Sequence, residues 1–164
     1  MQDATLREVR VAVVGYGYWG PNLARNFYQL AGAQLAYVVD QDVAALKRAQ
    51  QLYGCQTTTQ IDDVLADPTV DAVVIATPAR THYALARRSL DAGKHLLVEK
   101  PLTMDVGEAE ELVASAAAAG LTLMVGHVFE YNPAVAYIKR AIDSGELGDL
   151  YYLYSRRVNL GRVQ

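Results

Sequence analysis

Two hydrophobic patterns take turns along this chain. One is a short run of adjacent apolar residues, rich in valine. The other is an apolar residue at every third or fourth position. The runs at 9–14, 33–39, 70–76, 95–98 and 121–125 suit strands covered on both faces, as in a parallel sheet. A shorter run at 55–58 suits a minor strand. Between these runs, helical spacing links Leu23, Ala24, Phe27, Leu30 and Ala31, with Pro21 at its start and Gly32 at its close. The same spacing recurs from Asp42, a capping residue, to about Tyr53, with Gly54 as its stop. It appears briefly at 61–65, then at 81–92, 105–119 and 133–142, and each of these last three meets a glycine soon after. A last extended run covers 149–158. Strands alternating with helices predict an α/β protein built on a doubly wound, mostly parallel sheet.

The first strand runs directly into Gly15-Tyr16-Gly17-Tyr18-Trp19-Gly20-Pro21-Asn22, and the second ends at Asp40. A strand, a glycine-rich turn, a helix, a strand and a terminal carboxylate form the layout of a dinucleotide-binding βαβ unit, the Rossmann fold. Gly15 permits the tight turn, Gly17 lets a pyrophosphate approach the backbone, and Gly20 lets helix and strand pack closely. The N–H groups and positive dipole end of the helix favour phosphate. Asp40 stands where it can accept adenosine ribose hydroxyls and repel a 2′-phosphate. Gln41 and Asp42 beside it supply no cation, so NAD is expected rather than NADP. The blander alternatives are a glycine-rich loop without a ligand and an Asp40 that only caps the next helix, which Asp42 can do equally well.

In such sheets, ligands sit beyond the carboxyl ends of the strands. The expected strands place Gly15, Asp40, Thr77-Pro78, Glu99-Lys100 and Gly126-His127 there. Lys100 is the candidate for chemistry. Preceded by Glu99 and restrained by Pro101, it can donate to a substrate hydroxyl or carbonyl oxygen and stabilise charge developing on it. Standing alone it would be a solvated loop lysine. His127 follows a strand and can face a nicotinamide or be structural. His82 is open between a site role and a polar residue of a first helical turn. His95 begins a strand, the wrong end for the site.

Composition narrows the partners. The 164 residues are 52% hydrophobic and 20% charged, which suits a globular chain with a sizeable core. A net charge of -3 gives no reason to expect nucleic acid or an anionic membrane. One cysteine, Cys55, excludes an internal disulfide and a cysteine-based metal site, and no metal is expected. The first eight residues carry charges and no apolar run, so they do not read as a signal peptide, and no apolar run is long enough to span a bilayer. A soluble cytoplasmic protein is the economical expectation.

The motif series is specific. Gly-Tyr-Gly-Tyr-Trp-Gly-Pro-Asn, Ala76-Thr77-Pro78 with Thr81-His82, Glu99-Lys100-Pro101, and Gly126-His127 before Tyr131-Asn132-Pro133 occur in that order. Together they resemble the Gfo/Idh/MocA family, in particular members acting on nucleotide sugars such as UDP-N-acetylglucosamine 3-dehydrogenases. The resemblance covers nearly the whole chain. It implies NAD(P)-dependent oxidation or reduction of a sugar, nucleotide sugar or polyol in a homo-oligomer. It implies a cofactor site made from Gly15, Tyr16, Gly17, Tyr18, Trp19, Gly20, Asp40, Gln41, Ala76, Thr77, Pro78, His82, Glu99, Lys100, Pro101 and His127. Lys100 would also reach substrate, and the bond before Pro101 would be cis.

Family members also carry a second α/β domain whose histidine is the usual acid–base group. No histidine follows His127 here. The expected organisation is therefore a dinucleotide-binding domain over 1–128, with a linking helix and the first strand of a truncated second domain over 129–164. Such a chain would bind NAD(H) without turnover. Arg156, Arg157 and Arg162 would be phosphate-contact candidates in a full enzyme, or simply a solvated strand face. The rival class is a stand-alone, non-catalytic NAD-binding or sensing module. Another is a Rossmann scaffold that binds no dinucleotide.

Overall fold

The computed structural model describes residues 7–156. Its six strands are all parallel, in the order β3-β2-β1-β4-β5-β6. They are β1 (Val9–Val14), β2 (Ala33–Val39), β3 (Gln56–Thr58), β4 (Ala72–Ile75), β5 (His95–Val98) and β6 (Leu123–Val125). The helices between them are α1 (Gly20–Gln29), α2 (Val43–Tyr53), α3 (Ile61–Ala66), α4 (His82–Asp91) and α5 (Val106–Ala119). The chain reverses direction across the sheet between β1 and β4. That reversal is the switch point where doubly wound folds open their ligand crevice.

Side-chain alternation assigns the two faces. Ala12, Val14, Val39, Ile75 and Val98 pack with Leu112 and Ala116 of α5 on one side. Val11, Val13, Leu35 and Val38 pack with Ala24 of α1 and Leu46 of α2 on the other. With both faces covered, the central strands read as continuous apolar runs. Each fully buried valine, leucine or isoleucine contributes about 1.5–3 kcal/mol.

The helix ends follow their capping chemistry. Asp42 accepts the Ala44 N–H at 2.8 Å, and Asp105 accepts the Glu108 N–H at 3.2 Å. Gly120 ends α5 in the left-handed region at φ 66°. Lys94 is buried, with Nζ donating to the Asp67 carbonyl at 2.6 Å and the Val70 carbonyl at 2.9 Å. It places a cation at the carboxyl end of α3, where the helix dipole favours one.

Several elements are shorter than the hydrophobic runs that announce them. Val70 is buried but lies outside β4, because its N–H closes a turn onto the Asp67 carbonyl at 3.3 Å instead of joining the ladder. The helix expected from 81 begins at His82, after a 3-10 turn over Ala79–Thr81.

The described residues divide after Gly126 into two units. In the second, a 3-10 turn spans Val128–Tyr131 and α6 spans Pro133–Asp143, capped by Asn132 accepting the Ala134 N–H at 2.9 Å. The run expected to be extended over 149–158 forms no strand over its described residues, 149–156. A strand needs a partner for its backbone groups, and the described residues offer this run none. Arg157, Val158 and Arg162 lie outside the described residues, as do Met1 to Leu6.

Tyr151, Tyr152, Leu153 and Tyr154 are 70–90% exposed. So much apolar surface in one run favours association. Sedimentation velocity is expected to show concentration-dependent self-association. Serine at Tyr151, Tyr152 and Leu153 is expected to abolish it, and a wild-type monomer at all concentrations would contradict this.

Candidate functional site

The parallel sheet brings the carboxyl ends of its strands to one edge. Gly15 follows β1, Asp40 follows β2, Ala76-Thr77-Pro78 follows β4, and Glu99-Lys100-Pro101 follows β5. A cavity of about 460 Å³ opens between the first three, lined among others by Gly15, Asp40, Gln41, Thr77 and Pro78.

The glycine loop is shaped by its neighbours. Gly15 has φ +94°, and a Cβ there would lie 2.8 Å from the Ala76 backbone and 2.9 Å from Thr77 Cγ2. A Cβ on Gly20 would lie 1.9 Å from the Gly15 carbonyl oxygen. Both glycines are therefore fixed by backbone contact within the protein. Gly17 differs, because a Cβ there meets no protein atom within 4 Å. The space over Gly17 is open, as a pyrophosphate cradle requires. The N-cap of α1 is Trp19, which makes no side-chain capping bond, and Pro21 lies in the first turn. This helix end is suited to an external anion.

Gly17→Ala therefore separates binding from folding. Stability is expected to stay within about 1 kcal/mol of the parent. NADH affinity is expected to fall at least about tenfold, through lost backbone approach to the pyrophosphate. Calorimetric titration and a melting curve on the same sample check both.

Asp40 lines the cavity and also braces the loop. Its Oδ2 accepts the Tyr16 N–H, and its Oδ1 accepts the Asp42 N–H at 2.8 Å. The carboxylate thus ties the glycine loop to the end of β2, while each oxygen keeps further acceptor capacity. Gln41 lines the same cavity, its Nε2 donating to the Thr59 carbonyl at 2.8 Å.

Tyr16 turns inward. It is buried among Val11, Val13, Leu35 and Val38, so its N–H rather than its ring belongs to the loop. Burial, followed by a hydrogen bond with Tyr53, pushes its phenol up to about 12. Tyr18 and Trp19 are exposed beside the loop, with ring centroids 6.3 Å apart.

Beyond β4, Thr77 Oγ1 and Thr81 Oγ1 share a hydrogen bond of 2.7 Å, and Thr81 Oγ1 donates to the Pro78 carbonyl at 2.7 Å. His82 is buried beneath this loop. Lys100 is exposed, and the Lys100–Pro101 bond is cis, as the family resemblance implies. The Glu99 carboxylate packs over Gly126, where a Cβ would come within 3.0 Å of it, and accepts the Lys100 N–H at 3.3 Å. His127 is exposed and begins the second unit. His95 is structural, its Nδ1 accepting the Thr122 N–H at 2.9 Å.

The sequence pattern overlooked part of the cavity wall. Thr59, Gln60 and Ile61 line it from beyond β3, and Arg80, Leu85 and Arg88 from around α4. The strand-end rule, applied to β3 as to the longer strands, would have pointed to Thr59 and Gln60. Arg88 is paired with Asp62. Among the described residues no group of three His, Cys, Asp or Glu side chains is arranged to hold a metal. No helix among them is long and apolar enough to cross a membrane.

A sequence model described as an oxidoreductase family with an NAD-binding Rossmann fold, Gfo/Idh/MocA, matches residues 9–127. The chain belongs to this family. It is 35% identical over 133 residues to a UDP-N-acetylglucosamine 3-dehydrogenase of Acidithiobacillus ferrooxidans, covering 81% of this chain and 41% of the relative. It is 39% identical over 145 residues to inositol 2-dehydrogenase 4 of Saccharopolyspora erythraea, covering 87% and 43%. Scyllo-inositol dehydrogenase of Lactobacillus casei, solved with bound NAD(H) and scyllo-inositol, superposes with a TM-score of 0.82 at 27% identity, over 87% of this chain and 43% of that one. The chain therefore spans about two fifths of the length of these relatives. The glycine loop, the Asp40 carboxylate on the cavity wall and the open space over Gly17 fit the NAD of the family description.

Proposed function

We propose that this chain forms the NAD(H)-holding part of a dehydrogenase acting on a sugar, nucleotide sugar or polyol. The observation that carries this reading is the cavity between the carboxyl ends of β1, β2 and β4, lined by Gly15 of the glycine loop and by Asp40. Lys100 follows the adjacent strand, β5. The dehydrogenases among its relatives support the substrate class.

The chain's own residues divide the work. Gly15, Gly17 and Gly20 let backbone N–H groups meet the pyrophosphate, and Asp40 accepts the ribose hydroxyls. Pro78, Ile61 and Leu85 offer apolar surface to the adenine. Bound NAD supplies the acceptor or donor of hydride. Lys100 would donate a hydrogen bond to the substrate oxygen and stabilise negative charge there, as the hydroxyl proton passes to a base outside this segment and hydride leaves the carbinol carbon for NAD. The Glu99 bond to its N–H restrains the backbone that carries it.

By itself the chain is proposed to bind without turnover. The chain spans about two fifths of the length of its dehydrogenase relatives, and Lys100 is the one acid–base candidate that the strand-end segment 99–101 offers beside Glu99, which accepts the Lys100 N–H. Calorimetry with NADH is expected to show binding. Incubation with NAD and a panel of inositols, hexoses and UDP-sugars is expected to produce no NADH. Absence of NADH binding would overturn the first half, and NADH production the second.

A further inference from the structure

His82 stands at the start of α4 and is 1% exposed. Its Nδ1 lies 2.8 Å from the Pro101 carbonyl oxygen, and its Nε2 lies 2.9 Å from the Thr77 carbonyl oxygen. Both partners are carbonyls, which accept hydrogen bonds and cannot donate them. A neutral imidazole has one N–H and one lone pair. In that form, one of the two contacts would set the ring lone pair against a carbonyl lone pair, inside the core and out of reach of water. An unmade hydrogen bond in such a place carries the full desolvation cost of the group. Both contacts are satisfied together only when both ring nitrogens donate.

The two carbonyls belong to different loops, and each loop carries site residues. Thr77 follows β4 and lines the cavity beside Asp40. Pro101 follows β5 and adjoins Lys100 across the cis bond. One side chain therefore bridges the two loops, joining the cavity wall at Thr77 to the segment that bears the candidate catalytic lysine. The helix does not favour this cation, because a positive charge in a first turn opposes the helix dipole. The carbonyl pair must hold it.

We infer that His82 is a positioning residue, a doubly donating imidazolium that staples the Thr77-Pro78 loop to the Glu99-Lys100-Pro101 segment. It acts through these two loops and does not itself touch cofactor or substrate. Releasing the staple frees the Lys100 segment while leaving the glycine cradle and Asp40 in place. The functional consequence, though not the protonation, rests on the proposed NAD site.

Two measurements on the full chain test this. Nitrogen NMR of the 15N-histidine-labelled protein at neutral pH is expected to show a bonded proton on both ring nitrogens of His82. The signal is assigned by its loss in His82→Gln. A lone-pair nitrogen in the His82 ring would overturn the inference, and this result does not depend on NADH binding. Glutamine carries both of its N–H donors on one nitrogen and cannot reproduce two donors on opposite sides of a ring. In folded His82→Gln, NADH affinity is expected to fall about tenfold, the equivalent of one hydrogen bond to a charged group. Affinity for ADP-ribose, which lacks the nicotinamide, is expected to stay within about twofold. Equal losses for the two ligands, or none for either, would reduce His82 to a packing residue and overturn the positioning role. Failure of the wild-type chain to bind NADH would instead refute the proposed function and leave the NMR result standing.

Discussion

Gly20→Ala is expected to destabilise the native fold severely or abolish it. The added Cβ would stand 1.9 Å from the Gly15 carbonyl oxygen, well inside van der Waals contact. Both groups are main chain, so no rotamer change relieves the clash. Either α1 must move away from the sheet or the β1 turn must open. Moving α1 withdraws Ala24, which is fully buried, from the cluster it shares with Val11, Val13 and Leu35. Opening the turn breaks the bond from the Gly15 N–H to the Val39 carbonyl, which measures 2.8 Å. Either route costs about 3 kcal/mol or more, a large share of the stability of a domain this size. Circular dichroism melting is expected to show a transition lowered by at least about 8 °C, or none, while Gly17→Ala melts close to the parent. A Gly20→Ala protein melting with the parent would contradict the packing described for this turn.

Asp40→Ala is expected to have the second largest effect, felt mainly in binding. Two losses combine. The carboxylate no longer accepts the Tyr16 and Asp42 N–H groups, so the cradle is less firmly held. The ribose hydroxyls also lose their acceptor. At about 1.5–3 kcal/mol for a hydrogen bond to a charged group, NADH affinity should fall about a hundredfold. The variant should also discriminate less. Asp40 repels a 2′-phosphate, while Arg80 and Arg88 line the same cavity, Arg88 in a pair with Asp62. Removing the anion leaves Arg80 and the Arg88–Asp62 pair on the cavity wall, so the ratio of NADH to NADPH affinity should shrink. Calorimetry with both dinucleotides reads the two effects. An Asp40→Ala protein with unchanged affinity would mean that the carboxylate serves only the loop.

Most of the fold could be read from the sequence because parallel strands buried on both faces announce themselves as apolar runs. Val9–Val14 and Ala33–Val39 have the bounds that their runs suggested. Where hydrophobicity and hydrogen bonding part company, the reading failed. Val70 is buried without joining β4, and Tyr151 to Tyr154 are apolar without a partner strand.

The site was legible where position alone decides it. Gly15, Asp40, Thr77 and Lys100 all lie at strand ends, which sequence locates well. It was not legible where orientation decides. Nothing in Gly-Tyr-Gly-Tyr-Trp-Gly says that the Tyr16 ring turns into the core while Tyr18 stays exposed. The two carbonyl partners of His82 lie 5 and 19 residues away from it, and only the folded chain brings them to opposite sides of the ring. Arg80 and Arg88 were missed for the same reason, since they enter the cavity from the 3-10 turn before α4 and from α4 itself instead of from a strand end.

The central claim is that the crevice between β1, β2 and β4 holds a dinucleotide on the glycine loop. Trp19 is the only tryptophan of the chain and lies in that loop, so its emission reports binding there directly. Titration with NADH is expected to quench Trp19 emission saturably at submillimolar concentration, with energy transfer to the reduced nicotinamide, and the Gly17→Ala protein is expected to lose the response. Emission unchanged up to millimolar NADH, or an equal response from folded Gly17→Ala, would contradict the account.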